Sequence, residues 1–355
     1  ILMDEVHNLI TPSLDLRKYK SKINRLRNAL FNCKNCVLVG FTATPIVGKK
    51  ETGNALLEVI KGPENKKKNN EGFISYFYDL PRSIYPSVAL KTLKITIKSP
   101  SELRKTRTGK PISNLDAYQS VCKELKVTKP KDFEKLPQQK IYKLLNYINM
   151  SSYFTQVLHG DFKTKFKKDP ARWGTKFDEI IRKTNKTNAK TLVLCHRRAG
   201  FRGLLAGLEM FTKRSLDSAY DKKDSKRIYR FSQLDNKRGE KVKIFLADSS
   251  QFGEGVSFKG VRELYLMNPP LHFSELLQLQ GRVLRACGHH FLPTNERKVV
   301  IYLCVGKTTS KIPSIDEFLL KRLDQEKKKY FSDMSLFRDV AVDRKILLKV
   351  LKLKK

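Results

Sequence analysis

Apolar residues along this chain fall into short unbroken runs set apart by long polar stretches, the pattern of buried parallel strands joined by helices and loops. Ile1 to His7 reads as the end of one such strand. Cys36 to Pro45 reads as another, in which Val37, Leu38 and Val39 set the strand and Pro45 stops it. A polar, helix-compatible segment lies between them. Residues 49–72, rich in Lys, Asn, Glu and Gly, read as a solvated loop. Order returns over 73–98, where Leu90 to Ile97 alternates as a strand with one exposed face does. Residues 99–165 give no strand signal, and Leu136, Ile141, Leu144, Leu145 and Ile148 recur at helical spacing. A second α/β unit follows. Phe177 to Ile181 is amphipathic, Thr191 to His196 is a buried strand, and Phe201 to Met210 is a helix. Hydrophilic residues 213–241 come next, then strands at Val242 to Asp248, Val261 to Met267 and Val299 to Val305. A long charged helix starts at Ile315 and a basic tail closes the chain.

Charge narrows the function. Lys and Arg number 72 against 35 Asp and Glu, a net charge of +37, and such an excess calls for a polyanion, nucleic acid first. An anionic membrane is the rival. No long apolar run and no basic amphipathic helix ending in aromatic anchors supports it. Six scattered cysteines suit a reducing compartment, and Cys33 and Cys36, though spaced as in a zinc knuckle, lack a second pair. His289 and His290 beside Cys287 read as structural.

Asp4 and Glu5 stand at the carboxyl end of the first strand, where α/β sheets bind ligands, with His7 two residues on. Paired carboxylates there can divide phosphoanhydride hydrolysis, one holding Mg²⁺ through water and the other activating the attacking water. Thr42 and Thr44 at the next strand tip can hydrogen-bond a neighbouring carboxylate and relay nucleotide state. Gly253, Glu254 and Gly255 follow a strand, where missing Cβ atoms let backbone approach a phosphate or ribose. Gln278 to Arg285 is a Gln-x-x-Gly-Arg-x-x-Arg run, expected to bring Arg282 and Arg285 to one face of a short helix. By itself that run fits a phosphate grip or a solvated charged face. Arg197 or Arg198, just past a strand, can meet a phosphate backbone. Gly306-Lys307-Thr308 is no phosphate-binding loop, because Ile301 stands where the earlier glycine is required.

Asp4-Glu5-Val6-His7, Thr42-Ala43-Thr44 and the Gln278 to Arg285 run resemble motifs II, III and VI of superfamily 2 helicases, in that order. The residues after His196 resemble motif IV, and Ser249 to Ser257 motif V. Gly288-His289 after motif VI is similar to the poxvirus-like group of large cytoplasmic DNA viruses, meaning the early transcription factor small subunit and nucleoside triphosphate phosphohydrolase I. The resemblance implies an α/β fold of two RecA-like domains with parallel sheets, the first incomplete, nucleotide between them and nucleic acid across the top. On this reading 1–98 closes the first domain, 99–165 is a basic helical insertion or linker, 166–330 is the second domain, and 331–355 is a basic extension.

The resemblance also implies roles. ATP and Mg²⁺ are the cofactors. Asp4 orders the metal, Glu5 activates water, and His7, Thr42 and Thr44 couple nucleotide state to nucleic acid. Gln278 senses the γ-phosphate, Gly253, Glu254 and Gly255 line the nucleotide, and Arg282 and Arg285 stabilise the transferring phosphoryl group. The implied function is a nucleic-acid-dependent ATPase acting in viral transcription, in host cytoplasm and virion. DNA stands ahead of RNA as partner, alongside a viral RNA polymerase or a second transcription-factor subunit. No motif I occurs, so this stretch alone is expected to be inactive and completed by a longer parent chain. The alternatives are a non-catalytic nucleic-acid-binding scaffold and a cellular-type RNA helicase.

Overall fold

Thr191–Cys195 (β4) and Ile244–Asp248 (β6) are runs with no polar alternation, and every residue of both is buried. A strand of that kind needs cover on both faces, which a parallel sheet flanked by helices supplies. In the computed structural model, which describes residues 1–10, 19–33, 37–42, 50–63, 73, 75, 85–97, 114–149, 170–252, 256–309, 314–334, 337 and 341, these strands lie inside a six-stranded sheet. Its other members are Ser87–Thr96 (β3), Leu216–Ala219 (β5), Glu263–Leu266 (β7) and Lys298–Lys307 (β8), in the order β3-β8-β7-β4-β6-β5. Every adjacent pair is parallel. A second sheet pairs Leu2–Met3 (β1) with Val39–Gly40 (β2), also parallel. The fold is therefore α/β with parallel sheets.

The chain divides into two compact units, one of Ile1–Pro81, Leu271–Gln278 and Leu323–Lys355, the other of Arg82–Pro270 and Leu279–Arg322. In the first, helices Lys20–Phe31 (α1) and Lys50–Lys61 (α2) enclose a small core of Val6, Leu9, Leu30, Leu56 and Val59. α2 lies where a solvated loop was expected. Leu56, Leu57, Val59 and Ile60 inside that polar stretch make a helical apolar stripe, and the first three are buried. β1 was expected to be buried, yet Leu2 is 76% exposed. Among the described residues it pairs with one strand, and only its Met3 packs against the small core.

In the second unit, helices Pro170–Lys186 (α5) and Phe201–Phe211 (α6) supply Phe177, Ile180, Ile181, Phe201, Leu204 and Leu208 to the core over Val193, Ile244 and Leu246. Expected to close the first domain, β3 instead pairs with β8 over ten residues, Ser87 with Lys298 through Thr96 with Lys307. Its alternating pattern fits an edge strand of either sheet. The partner that fixes it comes about 200 residues later in sequence, beyond the reach of any local pattern. The helical segment expected as an insertion holds Asn114–Glu124 (α3) and Gln138–Asn149 (α4). These helices belong to the second unit. Asn149 Nδ2 donates to Ala199 O at 2.8 Å and to Asn268 Oδ1 at 2.8 Å. The stretch 213–241, read as hydrophilic, contains β5 and a short helix, Ser225–Phe231 (α7), whose Ile228 and Phe231 are buried. Helices Phe273–Gly281 (α8) and Ile315–Asp333 (α9) complete the described elements. A wholly buried ion pair, Lys176 Nζ to Asp316 Oδ2 at 2.5 Å, ties α5 to α9, and Gly306 N donates to the same oxygen at 2.8 Å.

Candidate functional site

In the first unit the parallel register sets Met3 beside Gly40, so Asp4-Glu5 and Phe41-Thr42 leave the sheet at one carboxyl edge. Phe41 N donates to Met3 O at 2.8 Å and Val6 N to Phe41 O at 3.1 Å. Gly40 is required there, since a Cβ would lie 2.7 Å from Val6 Cγ1. Glu5 sits in the left-handed region, φ 48° and ψ 43°, which costs a non-glycine residue about 1–3 kcal/mol. Its neighbours hold it there. Glu5 N donates to Asp4 Oδ1 at 2.8 Å, and Glu5 O accepts from Asn8 N at 3.0 Å and Asn8 Nδ2 at 3.2 Å. This turn carries the chain directly into the 3₁₀ turn Val6–Leu9 and leaves the Glu5 side chain 36% exposed.

His7 is buried, its Nδ1 lying 2.8 Å from Thr42 Oγ1 and 3.4 Å from Glu5 Oε2. Burial pushes the imidazole below its ordinary value, against the opposing pull of Asp4. The Thr42 hydroxyl, read as able to bond a carboxylate, meets this buried histidine. Thr44 lies outside the described residues. Asp4 is exposed at this edge and Glu5 partly so. Two carboxylates suit Mg²⁺, which keeps several waters and takes one or two carboxylates plus substrate phosphates. Among the described residues no cluster of three or more His, Cys, Asp or Glu offers a fuller cage.

In the second unit β4 runs into His196, whose Nδ1 accepts from Arg198 N at 3.0 Å and caps the turn Arg197–Ala199. Arg197 or Arg198 was expected to meet a phosphate backbone, and Arg197 is engaged within the unit. Its Nε instead reaches Asp248 Oδ2 at 2.5 Å, its Nη2 donates to Tyr220 O at 3.1 Å, and its guanidinium lies 4.9 Å from the Tyr220 ring centroid. Asp248 is fully buried and a buried carboxylate demands a partner, so Arg197 is committed to it. Arg198 is exposed. Asp248 also accepts from Arg197 N at 3.0 Å, Ser250 N at 3.0 Å and Ser250 Oγ at 2.9 Å, fixing where the glycine-bearing run begins. Sequence reasoning missed this role. Its signal was a lone acid closing a wholly apolar strand. Gly253, Glu254 and Gly255 lie outside the described residues.

The two arginines of the Gln278 to Arg285 run do not share a helix face. α8 stops at Gly281, and Arg282 N, Val283 N and Leu284 N turn back to Leu279 O and Gln280 O. Glycine is a poor helix former, and Arg282 is drawn inward by other partners. It is 5% exposed, donates from Nη1 to Val256 O at 3.3 Å, and accepts at its carbonyl from Phe258 N at 2.9 Å. Arg285 is exposed, and Gln278, within α8, is partly so.

Residues 175–287 match the helicase conserved C-terminal domain family. That stretch runs from α5 through Arg285, and it is this part of the chain that is similar to the C-terminal domain of helicases. Its relatives include viral proteins. The chain is 24% identical over 381 aligned positions to a putative ATP-dependent RNA helicase of Acanthamoeba polyphaga mimivirus, an alignment covering 90% of the chain and 62% of the relative. It is 36% identical over 91 residues to an early transcription factor large subunit homolog of African swine fever virus, covering 26% of the chain and 8% of the relative. That name is of a large subunit, where the motifs suggested the small one. Among solved structures, the E. coli DEAD-box protein SrmB aligns with a TM-score of 0.32 and 16% identity, over 42% of this chain and 77% of that one. The chain thus spans less than two thirds of the viral relatives' own length. Among the described residues no helix is long and apolar enough to cross a membrane.

Proposed function

We propose that this chain is part of a nucleic-acid-dependent ATPase that moves along or remodels DNA in viral transcription, in the host cytoplasm and virion. The observation that carries the ATPase reading is the His7–Thr42 hydrogen bond. It joins Asp4-Glu5-Val6-His7 to the Thr-Ala-Thr segment at one sheet edge, beside the two carboxylates. Asp4 would hold Mg²⁺, Glu5 would orient and deprotonate the attacking water, and His7 with Thr42 and Thr44 would couple that chemistry to the nucleic-acid side. When bound, the metal neutralises charge on the phosphates. Gln278 senses the γ-phosphate, Gly253, Glu254 and Gly255 line the nucleotide, and Arg282 and Arg285 serve the developing phosphoryl charge. The net charge of +37 and the exposed Arg198 favour a polyanionic track. A viral RNA polymerase or a second transcription-factor subunit fits as partner, given the relative named as an early transcription factor homolog.

A second reading, RNA as the track, is favoured by the 90% coverage of the alignment with the protein named an RNA helicase. Steady-state ATPase assays on the full-length protein, with single-stranded DNA or RNA added, separate the two. Stimulation by DNA and its loss in Glu5→Gln support the first reading; stimulation by RNA alone replaces it with the second. Residues 1–355 by themselves turn over ATP negligibly, for want of a Gly-x-x-x-x-Gly-Lys-Ser/Thr loop. Robust turnover by that stretch alone overturns the site assignment.

A further inference from the structure

The segment after the glycine-bearing run and the segment after α8 are fastened together by four hydrogen bonds in sequence. Arg282 Nη1 donates to Val256 O at 3.3 Å and Phe258 N to Arg282 O at 2.9 Å. Gly260 N donates to Gly288 O at 3.1 Å, and His289 Nε2 pairs with Val261 O at 2.7 Å. A carbonyl only accepts, so the imidazole carries its proton on Nε2. The two side chains that close this clip, at its opposite ends, are both buried, Arg282 at 5% and His289 at 1% exposure. Gly260 itself cannot be replaced without displacement, having φ +70° and a Cβ position 2.7 Å from Lys237 O. Arg285 lies between the clip's ends and is the exposed arginine of the pair.

We propose that Arg282 and His289 are positioning residues that lock residues 256–261 to residues 282–289, so that Arg285 is presented from a segment tied at both ends. The proposal rests on the ATPase reading and divides its arginine pair. Arg285 acts on the phosphoryl group, and Arg282 acts through Arg285 and the backbone of 256–258. A guanidinium on a nine-tenths buried side chain that bonds a half-buried carbonyl is a tie between the two segments, and its removal takes that bond away. The register of Arg285 then loosens without any change in its own side chain.

The test compares Arg282→Ala, Arg282→Lys, His289→Gln and Arg285→Ala in the full-length protein by two readouts, amide hydrogen exchange over 256–261 and steady-state ATPase. Arg282→Ala is expected to speed exchange at Phe258 and Gly260 at least tenfold and to raise KM for ATP as well as lower kcat. Arg282→Lys, which keeps a donor, restores most of both, and His289→Gln speeds exchange at Gly260. Arg285→Ala lowers kcat and leaves exchange unchanged. Should Arg282→Lys still fold, exchange with wild-type protection, and lose kcat as fully as Arg285→Ala, Arg282 touches phosphate directly and the proposal falls. Absent ATPase in the wild-type protein would sink the functional reading, while the exchange results would still decide whether the clip exists.

Discussion

The two carboxyl edges that carry motif-like residues are built by opposite means. In the second unit the edge stands on β4 and β6, whose residues are all buried, so Arg197 and Asp248 inherit their positions from a packed sheet. In the first unit the described strands are two residues each, Leu2 is 76% and Val39 40% exposed, and position comes from local bonds around Glu5, His7 and Thr42. A core-built edge tolerates surface change and fails with its core. A bond-built edge is indifferent to much of its apolar surface and fails when one small contact is altered.

The largest expected effect lies at the bond-built edge. Glu5→Gln keeps size but removes the carboxylate proposed as the base, and on that proposal should lower nucleic-acid-stimulated ATPase of the full-length protein by about 10²–10⁴-fold. Its melting temperature should stay within a degree or two of wild type. A parallel loss of stability would show that Glu5 holds the turn rather than serving the chemistry.

Next come two truncations that set the edges against each other. Leu194→Ala in β4, at a position 2% exposed, should cost about 2–5 kcal/mol by urea unfolding. Leu2→Ala in β1 should cost about 0.5 kcal/mol or less. Equal costs would erase the distinction drawn between the two edges.

A third change is smaller in stability and aimed at position. Gly40→Ala places a methyl 2.7 Å from Val6 Cγ1, and the backbone shift should cost about 1–3 kcal/mol. Because Val6 follows Glu5 directly, ATPase should fall with it, and Val6→Ala in the same chain should recover part of both losses. No recovery would mean that Gly40 matters for some reason other than this contact.

How far the sequence revealed these edges follows the same division. β4 and β6 were legible because an unbroken apolar run bounded by polar residues has few other homes. Asp4, Glu5, His7 and Thr42 were legible as polar residues at strand tips, whereas the left-handed turn at Glu5 and the Thr42–His7 pairing depend on a parallel register between segments 37 residues apart. α2 was hidden because lysines and asparagines around it outweighed four well-spaced apolar residues. Arg282 and Arg285 share a helix face in an ideal helix, but Gly281 ends α8 and Val256 O captures Arg282. That pull comes from a distant segment and leaves no local mark in the sequence.

The smallest expected effect is a pH dependence to which each unit contributes one histidine. Burial pushes both His7 and His289 below their ordinary 6.5, so each is neutral in the folded chain. The hydrogen bond to Val261 O moderates that shift at His289 while the charges of Lys190 and Arg262 add to it, and Asp4 moderates it at His7. As pH falls through about 6.5 the unfolded chain binds these protons first, so stability declines from there toward the lower folded values and is fully present above 6.5. Lys190, pushed down to about 7 by burial, acts in a separate window: between about 7 and 10.5 the unfolded chain holds its proton and the folded chain does not, so stability rises with pH there. Melting temperature measured at constant ionic strength should therefore fall from pH 7 to pH 5. His289→Gln and His7→Gln should each flatten that slope, and a variant that leaves it unchanged would mean that its histidine takes no part in the acid sensitivity.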